Sequence, residues 1–162
     1  MATRNFLKPD TQAMLNKAVH SEIFASNLYK HLSNHMQRMG FFGAQKFFAG
    51  ESADELTHYQ KLADYMNDRG SMASIPAIEA MNDKPEGLVD AFEIAFDTEV
   101  QLMEDYSKWY EECKCVITKQ FLLQFLETQR KSVGEYGDLL ARLALIGDDK
   151  CGLIIIDQEL GA

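Results

Sequence analysis

Four stretches of this chain carry apolar residues at the three-to-four spacing of a buried helix face, and each stripe is broken near mid-length by polar residues. Along residues 10–39 the stripe reads Leu15, Ala18, Val19, Glu22, Ala25, Tyr29, Leu32, Met36. Along residues 42–69 it reads Phe48, Glu51, Glu55, His58, Leu62, Met66. The third reads Phe92, Phe96, Glu99, Met103, Tyr106, Tyr110, and the fourth Leu122, Phe125, Leu126, Gln129, Val133, Tyr136, Leu140. Burying a carboxylate without a partner costs several kcal/mol. One buried polar residue in one helix finds a hydrogen bond easily. The same interruption on four helices at similar depth implies a cation held between them. Glu55 and His58 are three positions apart and so point from one helix face, within reach of a single ion.

The punctuation of the chain sets the architecture. Pro9 and Asp10 predict the start of a first helix, α1, with Asp10 as its N-cap, ending before Gly40. A second, α2, is predicted from Phe42 or Gly43 to Arg69, stopped by Gly70. Residues 70–87 lack periodicity and hold Pro76 and Pro85, so they read as a long connection. A third helix, α3, is expected from Pro85 or Glu86 to the Cys113 region, a fourth, α4, from Ile117 to Ile146, and a short fifth, α5, from Gly152 to Leu160. Short, long and short connections make an all-α four-helix bundle of two antiparallel hairpins joined by a crossover. At 162 residues the chain reads as a single domain, 1–162.

Composition narrows the function. The chain carries 25 acidic and 16 basic side chains, a formal charge of −9, which argues against nucleic acid as a partner. No run of about 18 apolar residues occurs, so no membrane span is expected, and Met1–Asp10 has no apolar secretory core. Cys113, Cys115 and Cys151 do not form a zinc-ligand pattern and read as free thiols of a cytoplasmic protein. His20, His31 and His35 fall opposite the α1 stripe. His31 and His35, spaced i to i+4, are solvated residues on one reading and a surface metal pair on another. Trp109 lies off the third stripe and reads as packing. The interior set is oxygen-rich with one imidazole, a mixture suited to iron, manganese or zinc. Glu51 is a further possible ligand and Asp54 lies at the stripe's edge.

Helix-borne carboxylates with Glu55-Leu56-Thr57-His58 resemble the ferritin-like di-iron fold. Leu15 through Glu22 to Tyr29, Glu55 to His58 followed by Lys61-Leu62 and Asn67-Asp68-Arg69-Gly70, and Glu135-Tyr136-Gly137-Asp138 are similar to the corresponding ferritin helices. The second Glu-x-x-His of bacterioferritin and rubrerythrin is absent, since α4 has Glu127-Thr128-Gln129-Arg130. That resembles the non-haem, heavy-chain-type ferritins, where a glutamine stands near the second metal.

The resemblance implies a 24-mer cage storing a ferric mineral, with ferroxidase activity toward ferrous iron and oxygen or peroxide as oxidant. It implies that Glu22, Glu55 and His58 hold one iron, that Glu55 bridges to a second held by Glu99, and that Gln129 stands close by. Tyr29 is implied as an electron donor or hydrogen-bond partner. Two other readings stay open: a di-metal oxidoreductase of the bacterioferritin or rubrerythrin type, and a shell subunit without rapid oxidation. The chain also departs from animal ferritins. Lys119 and Leu122 fall where acids line many three-fold pores, and Thr57 and Gln60 where mineral-nucleating glutamates stand.

Overall fold

The computed structural model describes residues 4–162, which form five helices and no strand. These are α1 Pro9–Met39, α2 Phe42–Asp68, α3 Leu88–Glu112, α4 Val116–Ile146 and α5 Lys150–Leu160. The all-α fold with its short fifth helix is as expected, and several boundaries move for local reasons. Lys8, not Asp10, is the first cap, because Pro9 has the fixed φ that suits the first helical position and no N–H to leave unpaired. Asp10 sits in the first turn, where its charge faces the positive helix end. α3 begins at Leu88, since Asp90 reaches back to accept from the Glu86 N–H at 2.8 Å and keeps that residue outside the helix. α5 begins two residues earlier than expected, with the Asp149 carboxylate accepting from the N–H groups of Cys151 and Gly152.

Cross-helix contacts fix direction and register. Ser26 bonds to the Ser52 carbonyl at 2.7 Å and Ser33 to that of Gln45 at 2.9 Å, so α1 and α2 run antiparallel. Gly40 turns between them at φ +88°, a left-handed conformation that favours glycine. Tyr65 meets Thr118 and Glu51 meets Tyr136, so α2 and α4 are also antiparallel. The α2–α3 connection lies along α1, held where Asn16 accepts from Ser74 N, where His20 faces Glu79 at 3.4 Å and where His31 meets the Asp83 carbonyl at 2.6 Å. Residues 16 to 31 of a helix cover about 22 Å at ~1.5 Å per residue. The connection therefore travels most of the bundle's length and delivers α3 parallel to α2.

All eight positions of the α1 stripe are buried. The α3 stripe is turned toward its other flank, with Ala95 buried and Phe96 half-buried. Beyond Glu99 its buried face is Leu102, Tyr106 and Trp109, with Met103 and Tyr110 only half-buried. Trp109 is thus part of the core, since the buried face keeps its seven-residue spacing but includes Ala95, Leu102 and Trp109, each one residue before Phe96, Met103 and Tyr110. Leu122 is fully buried within its own chain and cannot line a pore as the resemblance placed it. Lys119 lies with its ammonium 5.0 Å over the Tyr110 ring.

α5 docks on the start of α2. The Asp157 carboxylate accepts from Ala44 N at 2.8 Å, supplying the cap that α2 lacks, and Gly43 lets the backbones meet. A Cβ on Gly43 would lie 1.6 Å from the Asp157 carbonyl oxygen. Gly43→Ala should therefore lift α5 off α2, costing about 1–3 kcal/mol by overpacking. Limited proteolysis should find α5 newly cleavable in that variant, and unchanged protection would contradict the docking.

Candidate metal centre

The stripes bring Glu22, Glu55 and His58 to one place. Each offers a ligand atom, and these atoms all lie within 4.8 Å of one another. His58 Nδ1 is 2.9 Å from Glu55 Oε2 and 3.5 Å from Glu22 Oε2. Glu22 and Glu55 are buried and His58 is largely so. The second oxygen of Glu22 is enclosed without a hydrogen-bond partner, since 3.5 Å to His58 is a charge contact rather than a hydrogen bond. A buried, unpartnered carboxylate oxygen beside a second carboxylate and an imidazole nitrogen is a donor set that could hold a cation.

Glu99 faces this group from α3. Its two oxygens accept from the Tyr29 hydroxyl and from Gln129 Nε2, the latter at 2.8 Å. Gln129 therefore acts on Glu99 and stands outside the three-residue cluster. Tyr29 is fully buried, as its place in the stripe requires.

Two tyrosines escaped the sequence reading. Tyr106 donates to Glu22 Oε1, and Tyr136 donates to Glu51 at 3.0 Å. The signal lay in their positions: a tyrosine on the inner stripe of a bundle must place its hydroxyl on a polar partner. Tyr29, Tyr106 and Tyr136 each hold one carboxylate, and their rings pack against Phe48, Phe125 and Phe92 respectively. Glu51 is half-buried, whereas Asp54, Thr57 and Gln60 are exposed. The centre opens between α2 and α4, where Glu51, Glu55, His58 and Glu135 line a cavity of about 380 Å³. His31 and His35 stack edge-on at 4.6 Å on the opposite side of α1, with His31 engaged by the Asp83 carbonyl. Cys113, Cys115 and Cys151 are free.

Protonation follows from this crowding. Burial pushes Glu55 well above the usual carboxylate range, reinforced by the Glu22 and Glu99 charges against the lowering effect of His58. Burial also raises Glu99. For Glu22 burial is opposed by His58, Glu55 and Tyr106, which together hold it below its ordinary value. Glu51 is pushed up to about 7, by burial first and then by Glu99, Asp54 and Glu135 against its Tyr136 hydrogen bond. Burial works against the His58 cation, but Glu22 and Glu55 outweigh it and raise the imidazole from 6.5 to about 10. In the metal-free protein a proton on His58 supplies part of the positive charge that the carboxylates demand.

A group with a raised folded-state pKa stabilises fully below its unfolded value and loses that contribution as pH rises through the folded one. For His58 the window runs from 6.5 to about 10. The melting-temperature advantage of the metal-free protein over His58→Gln should be largest at the acid end of that window and shrink toward the alkaline end. A gap independent of pH would show that His58 is not held as a cation.

Comparison with known proteins agrees with the fold. The family model described as ferritin-like domain matches residues 12–146. A probable bacterial non-heme ferritin-like protein of Haemophilus influenzae is 32% identical over 159 residues, covering 96% of each chain. A bacterial non-heme ferritin of Staphylococcus aureus is 27% identical, over 100% of this chain and 96% of the relative. Among solved structures, an open pore ferritin from the hyperthermophilic archaeon Archaeoglobus fulgidus superimposes with a TM-score of 0.93 at 25% identity, covering 96% of this chain and 98% of that one. No helix of the described residues is long and apolar enough to cross a membrane. With five helices in this order and a match over most of its length, the chain belongs to the ferritin-like domain family.

Proposed function

We propose that this protein is an iron-storing ferroxidase whose oxidation centre lies inside each subunit. The observation that carries the reading is the unpartnered, buried Glu22 oxygen beside Glu55 and His58. Iron is the substrate. Glu22, Glu55 and His58 hold the first ferrous ion, and Glu55 shares its carboxylate with a second held by Glu99. Oxygen ligands favour the harder ferric ion, so the donor set stabilises the product of oxidation. Two ferrous ions each give one electron to dioxygen, which takes up two protons to become hydrogen peroxide. With peroxide as oxidant, the same two electrons and two protons yield two waters.

The chain's own residues do the rest. Glu55, Glu99 and His58 give up protons as the cations arrive, so charge enters a low-dielectric site without accumulating. Tyr29 and Gln129 orient Glu99, and Tyr106 orients Glu22. The α2–α4 cavity, with Glu51 beside it, is a short way out for ferric product. In the cage reading this face turns to a mineral-filled interior.

Assembly into a 24-mer cage is supported by side chains that a lone subunit leaves in water, among them Ile154, Ile155 and Leu145, the last 89% exposed. Native mass measurement should return a particle of that stoichiometry, and a stable monomer or dimer under mild conditions would contradict the cage.

The chemistry is tested by stopped-flow absorbance after ferrous addition. Glu55→Ala should abolish fast oxidation in an intact assembly, because it removes the one residue assigned to both metals. Gln129→Ala should slow it more mildly, by roughly tenfold or somewhat more, the size expected for a partner that only orients a ligand. Full-speed oxidation by Glu55→Ala would refute an intra-subunit centre.

A further inference from the structure

Tyr106 does more than its hydrogen bond to Glu22 requires. Its fully buried ring stands edge-on to Trp109, the one tryptophan of the chain, with centroids 5.1 Å apart and planes at 84°. Trp109 lies one turn further along α3 and is 7% exposed. It lines two surface hollows, one of about 140 Å³ beside Lys8 and Met14 and one of about 320 Å³ beside Lys17 and Lys108. The path from the carboxylate centre to the outside is thus Glu22, Tyr106 hydroxyl, Tyr106 ring, Trp109 ring, surface. Phenol and indole are the two aromatic side chains that give up an electron readily. The other ring against Tyr106, Phe125, stacks on it at 5.0 Å but is far harder to oxidise and leads back into the bundle. Packing alone explains two buried rings. It does not explain why the two oxidisable ones lie in series, one bonded to a ligand of the centre and the other buried but lining two surface hollows.

We propose that Tyr106 and Trp109 form an electron relay that carries one oxidising equivalent from the carboxylate centre to the protein surface. The inference rests on the ferroxidase reading for its source of oxidant. A ferrous ion that meets hydrogen peroxide alone gives a ferric ion, a hydroxide and a hydroxyl radical. One electron from the Trp109 indole, passed through Tyr106, together with one proton taken up at the centre, converts that radical to water. Trp109 loses its indole N–H proton to solvent and is left as a neutral radical. The sum is hydroxyl radical plus tryptophan giving water plus tryptophanyl radical. A further ferrous ion in solution returns the electron, solvent returns the proton, and ferric iron is the product. The damage is moved from the buried ligands to a replaceable electron at the surface.

The test uses the assembled protein loaded anaerobically with ferrous iron, mixed with hydrogen peroxide and freeze-quenched. Electron paramagnetic resonance reads the radical, and peptide mass spectrometry locates oxygenated residues. Ferrous oxidation is followed by absorbance in the same samples. The wild type should give a tryptophan-centred radical and oxygenated Trp109. Trp109→Phe, which keeps an aromatic ring in place, should lose the radical while oxidising ferrous iron at the wild-type rate, and oxidation should move to residues around the centre. Tyr106→Phe keeps Trp109 but breaks the series, so the radical should fall sharply. Glu55→Ala should show none, which excludes radical made in bulk solution. Ferrous oxidation without a tryptophan radical would overturn the relay and leave the ferroxidase reading standing. An undiminished radical in Tyr106→Phe would overturn it too. Absence of ferrous oxidation in the wild type would overturn the ferroxidase reading and the relay together.

Discussion

Burying three carboxylates and an imidazole at the middle of a helical bundle is the constraint from which the rest of this molecule follows. Each ionised carboxylate loses its water, and two in contact repel strongly in a medium that screens poorly. The metal-free protein meets the demand by keeping protons: Glu55 and Glu99 are held above their usual range and His58 is pushed up to about 10. One oxygen of Glu22 still has no partner. A divalent cation would replace several protons at once and give that oxygen a contact. Stability without metal and affinity for metal would therefore be opposed, with the buried residues above and below the centre offsetting the cost of its charges.

The bundle's register makes this centre possible. Because α1 runs antiparallel to both α2 and α3, and α2 antiparallel to α4, residues far apart in sequence meet at one level. Glu22 lies level with Tyr106, Tyr29 with Glu99, and Glu51 with Tyr136. The crossover along α1 produces that arrangement, since a short α2–α3 link would have reversed the second hairpin. The three tyrosine–carboxylate contacts are a second layer around the centre. Each places a hydroxyl where a carboxylate needs a donor, and its ring fills core volume that a smaller donor would leave empty.

Much of this was legible in the sequence, and what was not has physical reasons. The α1 stripe transferred to the structure position by position, because a straight helix with a continuous apolar face has one way to lie. In α3 the stripe in the sequence runs through Phe96, Met103 and Tyr110, whereas Ala95, Leu102 and Trp109 pack inward, and apolar residues on both flanks give no sign of which would bury. Leu122 shows the limit of resemblance: the position that the resemblance put at a pore is here a core residue with no exposure. Tyr106 and Tyr136 were passed over because a tyrosine in an apolar stripe counts as hydrophobic until its hydroxyl is asked for a partner. The docking of α5 through Asp157 and Gly43 is a contact between residues more than a hundred positions apart, which no local pattern announces.

The central claim is that Glu22, Glu55, His58 and Glu99 together hold two metal ions, and anomalous X-ray diffraction at the iron edge tests it most directly. Crystals soaked anaerobically with ferrous salt should give two anomalous peaks between the four helices. One is expected within coordinating distance of Glu22, Glu55 and His58, the other between Glu55 and Glu99. Peaks confined to surface groups such as His31 and His35, with none among the buried carboxylates, would contradict it.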